Sequence, residues 1–270
     1  MTYVFITGAS SGIGAALARE YAVQGAVLGL AARRGPALAQ LIASLPNPER
    51  HRSYALDVTD HAALTAAAQD FIAYSNTAGV NIVIASAGIS QGTLTEHAED
   101  FAIFERIMAV NLNATVATFA PFIAGMRLQA QSGRRGCRLV GIGSVAGIRG
   151  LPGAEAYSAS KAAVISYCES LRLELQQSGI RVVTISPGYI DTQMTQANHY
   201  RMPFLMPAAS FATAARAAIE AGASYRVIPW QMGVAAKLLR LMPNWLYDWV
   251  FARAPHKARA SNSSGAGHAD

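Results

Sequence analysis

The residue types whose spacing could do chemistry gather in Tyr157-Ser158-Ala159-Ser160-Lys161, with Ser144 thirteen residues before the tyrosine. On a helix, a spacing of four puts Tyr157 and Lys161 on one face, with Cβ atoms about 5–6 Å apart. A free tyrosine, with a pKa of about 10, is only about 0.1% ionised at pH 7. A neighbouring ammonium and a cationic hydride carrier would both favour the phenolate and are expected to lower that pKa, each unit being worth about 1.4 kcal/mol between the protonation states. Tyr157 would then give a proton to a carbonyl oxygen as hydride reaches the carbon, or take one in the reverse direction. Ser144 would hold the same oxygen by a hydrogen bond. With ten tyrosines and only three lysines in the chain, such a pair arises by chance about once in ten sequences. The motif therefore needs company.

That company begins at the N-terminus. Thr7-Gly8-Ala9-Ser10-Ser11-Gly12-Ile13-Gly14 follows a short apolar run and precedes a helical pattern. Gly8 allows a tight turn, Gly12 lets backbone approach a pyrophosphate, and Gly14 lets the helix pack on the strand, with phosphates at the positive helix terminus. No Lys-Ser/Thr pair follows the glycines, which argues against a P-loop. At the end of the second strand, a dinucleotide fold that prefers NAD places a carboxylate on the ribose diol. Here the chain reads Leu30-Ala31-Ala32-Arg33-Arg34. Two guanidiniums pair with a 2′-phosphate better than with a diol, so NADP(H) is the expected cofactor.

The elements that must position these groups alternate between short apolar runs and longer helical patterns. Strands are expected at Tyr3–Thr7, Ala26–Ala31, Arg52–Ala55, Ile82–Ala85, Cys137–Ile142, Arg181–Ile185 and Tyr225–Ile228. Each is short and apolar, as a strand buried on both faces should be. Helices are expected near Gly14–Val23, Pro36–Ser44, Asp60–Tyr74, Phe101–Met126, Tyr157–Gln177 and Pro207–Ala221, with a kink or break at Pro121. The fold class is α/β: a Rossmann-type doubly wound parallel sheet of about seven strands with helices on both faces. Residues 1–255 form one domain, and 256–270, rich in Ser, Ala and Gly, read as a disordered tail.

Composition narrows the function classes. The 270 residues are 52% hydrophobic and 14% charged, which excludes a disordered chain. No run of 18 apolar residues lacks a charge or proline, which argues against a membrane span, and Tyr3–Ile6 lacks the basic flank of a signal peptide. Cys137 and Cys168 form no CxxC, and the six histidines (51, 61, 97, 199, 256 and 268) have no metal-ligand spacing, so no metal is expected. Six Lys/Arg against two acids from Arg226 onward supply +4 of the net +6. A basic C-terminal segment without a basic groove elsewhere does not support nucleic-acid binding. A cytoplasmic location is expected.

Together these residues resemble a classical short-chain dehydrogenase/reductase, from about residue 3 to about residue 230. The family's TGxxxGxG matches Thr7 to Gly14, its Tyr-x-x-x-Lys matches Tyr157 to Lys161, and its serine matches Ser144. Asn111 matches the family's helix asparagine, Asp57-Val58 its adenine-side pair, and Pro187-Gly188 with Thr192 its motif after the sixth strand. The resemblance implies a catalytic set of Asn111, Ser144, Tyr157 and Lys161. It implies that Lys161 binds the nicotinamide ribose and that Asn111 anchors a water linking Lys161 to solvent. It further implies cofactor contacts from Gly8, Ser10, Ser11, Gly12, Ile13 and Gly14, from Arg33 and Arg34, and from Asp57 and Val58. Ala87, Gly88, Tyr157, Pro187, Gly188, Ile190 and Thr192 complete that set. One departure is visible: Ala85-Ser86-Ala87-Gly88 stands where the family usually has Asn-Asn-Ala-Gly, and a serine ties strands together less well than an amide. The activity implied is interconversion of a ketone or aldehyde with an alcohol. An alternative is a regulator that binds NADPH without turnover, but such proteins typically lose the tyrosine or lysine. The extended epimerases and dehydratases carry a longer substrate domain and other glycine spacing.

Substrate choice should lie after Pro187. Tyr189 to Met206 is rich in Met and other apolar residues, as suits either a mobile loop over an apolar ligand or a lid packed on its own protein. Residues 230–255 carry all three tryptophans with Lys237, Arg240 and Arg253, and Pro243 divides them into two helical pieces. Packing over the pocket, or across the interface of a homodimer or homotetramer, is the expectation. A membrane surface is the less favoured reading, although the segment also resembles tails of family members acting on lipid-linked substrates.

Overall fold

The computed structural model describes residues 1–133, 136–196, 202–252 and 259. The chain runs β1 (Tyr3–Thr7), α1 (Gly12–Val23), β2 (Val27–Ala32), α2 (Gly35–Ala43), β3 (Arg52–Ala55), α3 (His61–Ser75) and β4 (Ile82–Ala85). It continues through α4 (Asp100–Met108), α5 (Ala114–Gln131), β5 (Arg138–Ile142), α6 (Glu155–Glu174) and β6 (Arg181–Pro187). The short β7 (Ile190–Asp191), α7 (Gln193–Gln196) and β8 (Met206–Pro207) precede α8 (Ala208–Ala221), β9 (Tyr225–Ile228), α9 (Trp230–Leu241) and α10 (Asn244–Phe251).

Seven strands form one parallel sheet in the order β3-β2-β1-β4-β5-β6-β9, while β7 pairs with β8 alone. The chain winds outward from β1 to β3, then starts again at β4 on the other side of β1. The two halves part at the carboxyl ends of β1 and β4, where such sheets open a crevice. Period-two alternation fills both faces. From β1, Val4 and Ile6 join Leu17, Leu38 and Phe211 in one apolar layer. Phe5 joins Phe71, Phe119 and Phe122 in the other. Each such side chain, fully buried, contributes about 1.5–3 kcal/mol relative to exposure. Gly29 in β2 has a packing reason: a Cβ there would stand 2.8 Å from the Phe71 ring.

The sheet corrects two expectations. Burial on both faces holds for the inner strands and fails at the edges, where Arg52, Ser53, Tyr225 and Arg226 are exposed. Edge strands with charged side chains resist pairing with other chains. The helix through Pro121 does not break there, since α5 runs from Ala114 to Gln131. The irregular turn instead lies at Ala109–Asn113, a single π-helical turn between α4 and α5. A further segment, Asp100–Gln131, is by length and composition apolar enough to cross a membrane even with its charges and Pro121. In this fold it buries Phe119, Phe122 and Met126 in the core.

The C-terminal helices divide at Pro243, which stands at the N-terminus of α10. Of the expected tail, only Arg259 lies within the described residues, and it ion-pairs with Asp100 at 2.8 Å and Glu99 at 3.1 Å.

Candidate active site

β5 delivers Ser144 to the crevice, one residue beyond Gly143. The Ser144 hydroxyl accepts from the Ala146 amide at 3.1 Å and so fixes the turn that follows. α6 begins two residues before Tyr157, and its first turns bring Tyr157 and Lys161 to the same crevice. The Tyr157 hydroxyl is hydrogen-bonded to Ser144. Lys161 is buried, donates to the Ile142 carbonyl at 2.8 Å, and has its ammonium 5.9 Å from the centre of the Tyr157 ring.

The electrostatics differ from the sequence expectation. Burial raises the pKa of Tyr157 above the ordinary tyrosine value, and the Ser144 hydrogen bond offsets this only in part. The same burial pushes Lys161 down to about 8. A desolvated ammonium nearly 6 Å from the ring does not outweigh the cost of placing a phenolate in this setting. The lowered tyrosine pKa is expected from the ammonium and a cationic nicotinamide acting together; the protein's own residues do not supply it without that second cation.

Asn111 lies in the π turn and is completely buried. Its side chain accepts from the Ile89 amide at 2.8 Å and donates to the Ile89 carbonyl at 3.0 Å and to Ser160 Oγ at 2.9 Å. Ser160 in turn donates to the Tyr157 carbonyl at 2.8 Å. Asn111 thus ties the π turn to the strand exit and to α6 from behind the cavity wall. π turns frequently occur at functional sites.

All the other candidate residues line one cavity of about 300 Å³. Gly8 and Gly12 have positive φ, at 68° and 54°. A Cβ on Gly8 would stand 2.7 Å from the Ala87 backbone, and one on Gly14 would strike the Gly8 carbonyl. The three glycines therefore keep an open cradle at the start of α1, with Ser10, Ser11 and Ile13 beside it. At the end of β4, the Ser86 hydroxyl is buried in the wall with no partner among the described residues. The Ala87 amide donates to Thr7 Oγ1 at 3.4 Å, a link between β4 and β1 in which Ser86 takes no part. A backbone cradle at a helix N-terminus beside an unpaired hydroxyl fits the phosphates and ribose of a dinucleotide.

Arg34 reaches back to Ser10, donating to its Oγ at 3.3 Å and its carbonyl at 3.4 Å. Arg33 stands 4.0 Å from the Asp57 carboxylate. Asp57 is held below the usual carboxylate range first by the Thr59 amide, then by the Thr59 hydroxyl and Arg33. Pro187, Gly188, Ile190 and Thr192 close the far side, where the Thr192 amide donates to Thr195 Oγ1 at 3.0 Å.

Two contributors escaped the sequence reading. Thr195 organises the β7 loop through bonds to the Ile190 and Thr192 carbonyls, at 2.6 and 3.0 Å. Arg149 anchors the C-terminal helices, donating to the Leu239 and Met242 carbonyls at 2.8 and 2.7 Å. Neither residue belongs to a local pattern; both act through contacts distant in sequence or confined to an irregular loop.

The short chain dehydrogenase family model matches residues 2–202. An uncharacterized oxidoreductase of Myxococcus xanthus is 34% identical over 249 residues, covering 90% of this chain and 93% of that protein. A short-chain dehydrogenase from Sphingobium yanoikuyae in complex with NADPH superposes with a TM-score of 0.72 at 29% identity, over 90% of this chain and 97% of that one. A 3-ketoacyl-(acyl-carrier-protein) reductase from Brucella melitensis complexed with NADH shares the fold, with a TM-score of 0.74 at 23% identity over 84% of this chain and 96% of the other. With Ser144, Tyr157 and Lys161 converging on the cavity that holds the glycine cradle, this chain belongs to the short-chain dehydrogenase family, oxidoreductases that act between alcohol and carbonyl with a nicotinamide cofactor.

Proposed function

We propose that the protein is an NADP(H)-dependent oxidoreductase in which Tyr157 is the general acid and base. The observation that carries this reading is the meeting of Ser144, Tyr157 and Lys161 at one end of the cavity that Arg33 and Arg34 line at another. When bound, the nicotinamide supplies or accepts the hydride. In the reducing direction Tyr157 gives its hydroxyl proton to the carbonyl oxygen, which becomes the alcohol, and Ser144 donates a second hydrogen bond to that oxygen. Lys161, buried and with a pKa near 8, is suited to restoring the tyrosine proton. Oxidation runs the same transfers backward.

Arg34, held on Ser10 at the rim of the glycine loop, is the guanidinium better placed for a 2′-phosphate. Arg33 shares its charge with Asp57. Ile89, Ile142 and Met194 in the cavity wall favour an apolar carbonyl substrate.

The test is oxidation of NADPH and of NADH against short aldehydes, cyclic ketones, 3-oxoacyl thioesters, steroids and keto-sugars. Tyr157→Phe should lower turnover about 10²–10⁴-fold while leaving NADPH binding nearly intact. A variant that kept a tenth of the activity would remove Tyr157 from the chemistry. Arg34→Ala should weaken NADPH about 10–100-fold and NADH little, because a charge-assisted bond is worth about 1.5–3 kcal/mol. Equal losses for both nucleotides would overturn the 2′-phosphate assignment.

A further inference from the structure

On α9 and α10 the exposed side chains Trp230, Val234, Leu238, Leu241, Trp245 and Trp249 follow one another at spacings of four, four, three, four and four. Each helix thus carries its part of an apolar stripe, four residues on α9 and two on α10, the two parts divided by extended backbone at Met242 and Pro243. Their exposures run from 49% to 81%, and the three tryptophans are the only ones in the chain. The opposite face is fastened to the body. Ala236 and Tyr247 are buried. Arg149 caps the end of α9 and lies 4.1 Å over the Tyr247 ring. Arg240 donates to the Ile148 carbonyl at 3.1 Å. These anchors, Ile148 and Arg149, lie four and five residues beyond Ser144, so the stripe is held outward beside the proposed site.

We propose that this stripe docks on the surface of an anionic lipid bilayer, with the tryptophans and leucines entering the acyl–headgroup boundary. Large exposed apolar patches mark interaction sites. Tryptophan and leucine flanked by basic residues suit a helix lying in a membrane interface. The exposed Lys237 flanks the stripe, and the single acid from Trp230 to Phe251 is Asp248. An anionic surface complements the Lys237 ammonium, whereas a second copy would bring a surface of the same charge. Residues 253–270 hold no large apolar side chain. This inference is independent of the proposed reaction and is read without turnover.

Because every tryptophan lies in the stripe, intrinsic tryptophan fluorescence reports on it alone. Full-length protein is mixed with vesicles of phosphatidylcholine, with or without phosphatidylglycerol, and with brominated acyl chains as quencher. The expected result is co-sedimentation with the phosphatidylglycerol vesicles, and tryptophan quenching by the brominated lipid. Lys237→Ala should weaken binding to those vesicles about fivefold. The double variant Trp245→Ser/Trp249→Ser should lower binding at least about tenfold with its circular dichroism unchanged. Wild-type protein that ignores the vesicles overturns the proposal. A wild-type dimer that becomes monomeric in the double variant, with no vesicle binding in either, reassigns the stripe to self-association.

Discussion

Lys161 shows how a site residue carries a cost that stability measurements can read. Its buried ammonium has a pKa near 8, well below that of a free lysine. The unfolded chain therefore binds more protons at this residue between about pH 8 and 10.5, and its contribution makes stability rise with pH across that window. Below pH 8 the full penalty applies, about 3 kcal/mol at about 1.4 kcal/mol per unit. Cys168 and the buried tyrosines are raised by burial and titrate in the opposite sense from about pH 9 upward. The lysine is isolated by comparing wild type with Lys161→Met. The variant should be the more stable below pH 8 in urea unfolding of the protein without cofactor, and its advantage should shrink as pH rises toward 10. An advantage that does not change with pH would mean that Lys161 is not a desolvated cation. The Tyr-x-x-x-Lys spacing made these residues legible in the sequence. Their pKa values were not, because desolvation depends on the layers packed around them in the fold rather than on spacing.

At the scale of elements, what was legible followed composition. The inner strands are apolar on both faces, and the glycines sit between a strand and a helix, so β1 and the glycine loop could be placed to within a residue or two. The edges were misjudged because Arg52–Ala55 and Tyr225–Ile228 are read as strands from propensity while their burial depends on having neighbours. The π turn at Ala109–Asn113 left no local mark, since it is held by tertiary bonds from Asn111 to Ile89 and Ser160. Pro121 drew attention away from it. Asn111→Ala should leave the Ile89 amide and carbonyl without their present partner inside the wall, at a cost of at least about 2 kcal/mol. Urea denaturation measures the loss. Activity should fall with it, because Ser160 and the Tyr157 backbone lose their brace. A variant within about 0.5 kcal/mol of wild type would show that the turn keeps its shape without the amide.

Across the whole molecule, stability is expected to be uneven. The sheet and its two apolar layers hold the body together, while α9 and α10 present their tryptophans to the outside; α9 packs on β9 through Gly233 and Val227, and the loop after Ser144 ties down both helices. Arg149 is central to that tie: it reaches the Leu239 and Met242 carbonyls, the Asn244 side chain and the Tyr247 ring. A cation at a helix C-terminus also complements the partial negative charge of the unpaired carbonyls. Arg149→Ala should therefore loosen residues 230–251 as a unit and leave the sheet intact. Hydrogen exchange read by segment should show faster exchange there, with β1, β4 and β5 unchanged. Protease cleavage should move into the same stretch. Because the anchor follows Ser144 by only a short loop, KM for the carbonyl substrate should rise more than kcat falls, as suits a displaced pocket wall with its chemistry preserved. Uniformly faster exchange through the sheet would instead make the C-terminal helices part of the core, a role that their exposed stripe gives no reason to expect.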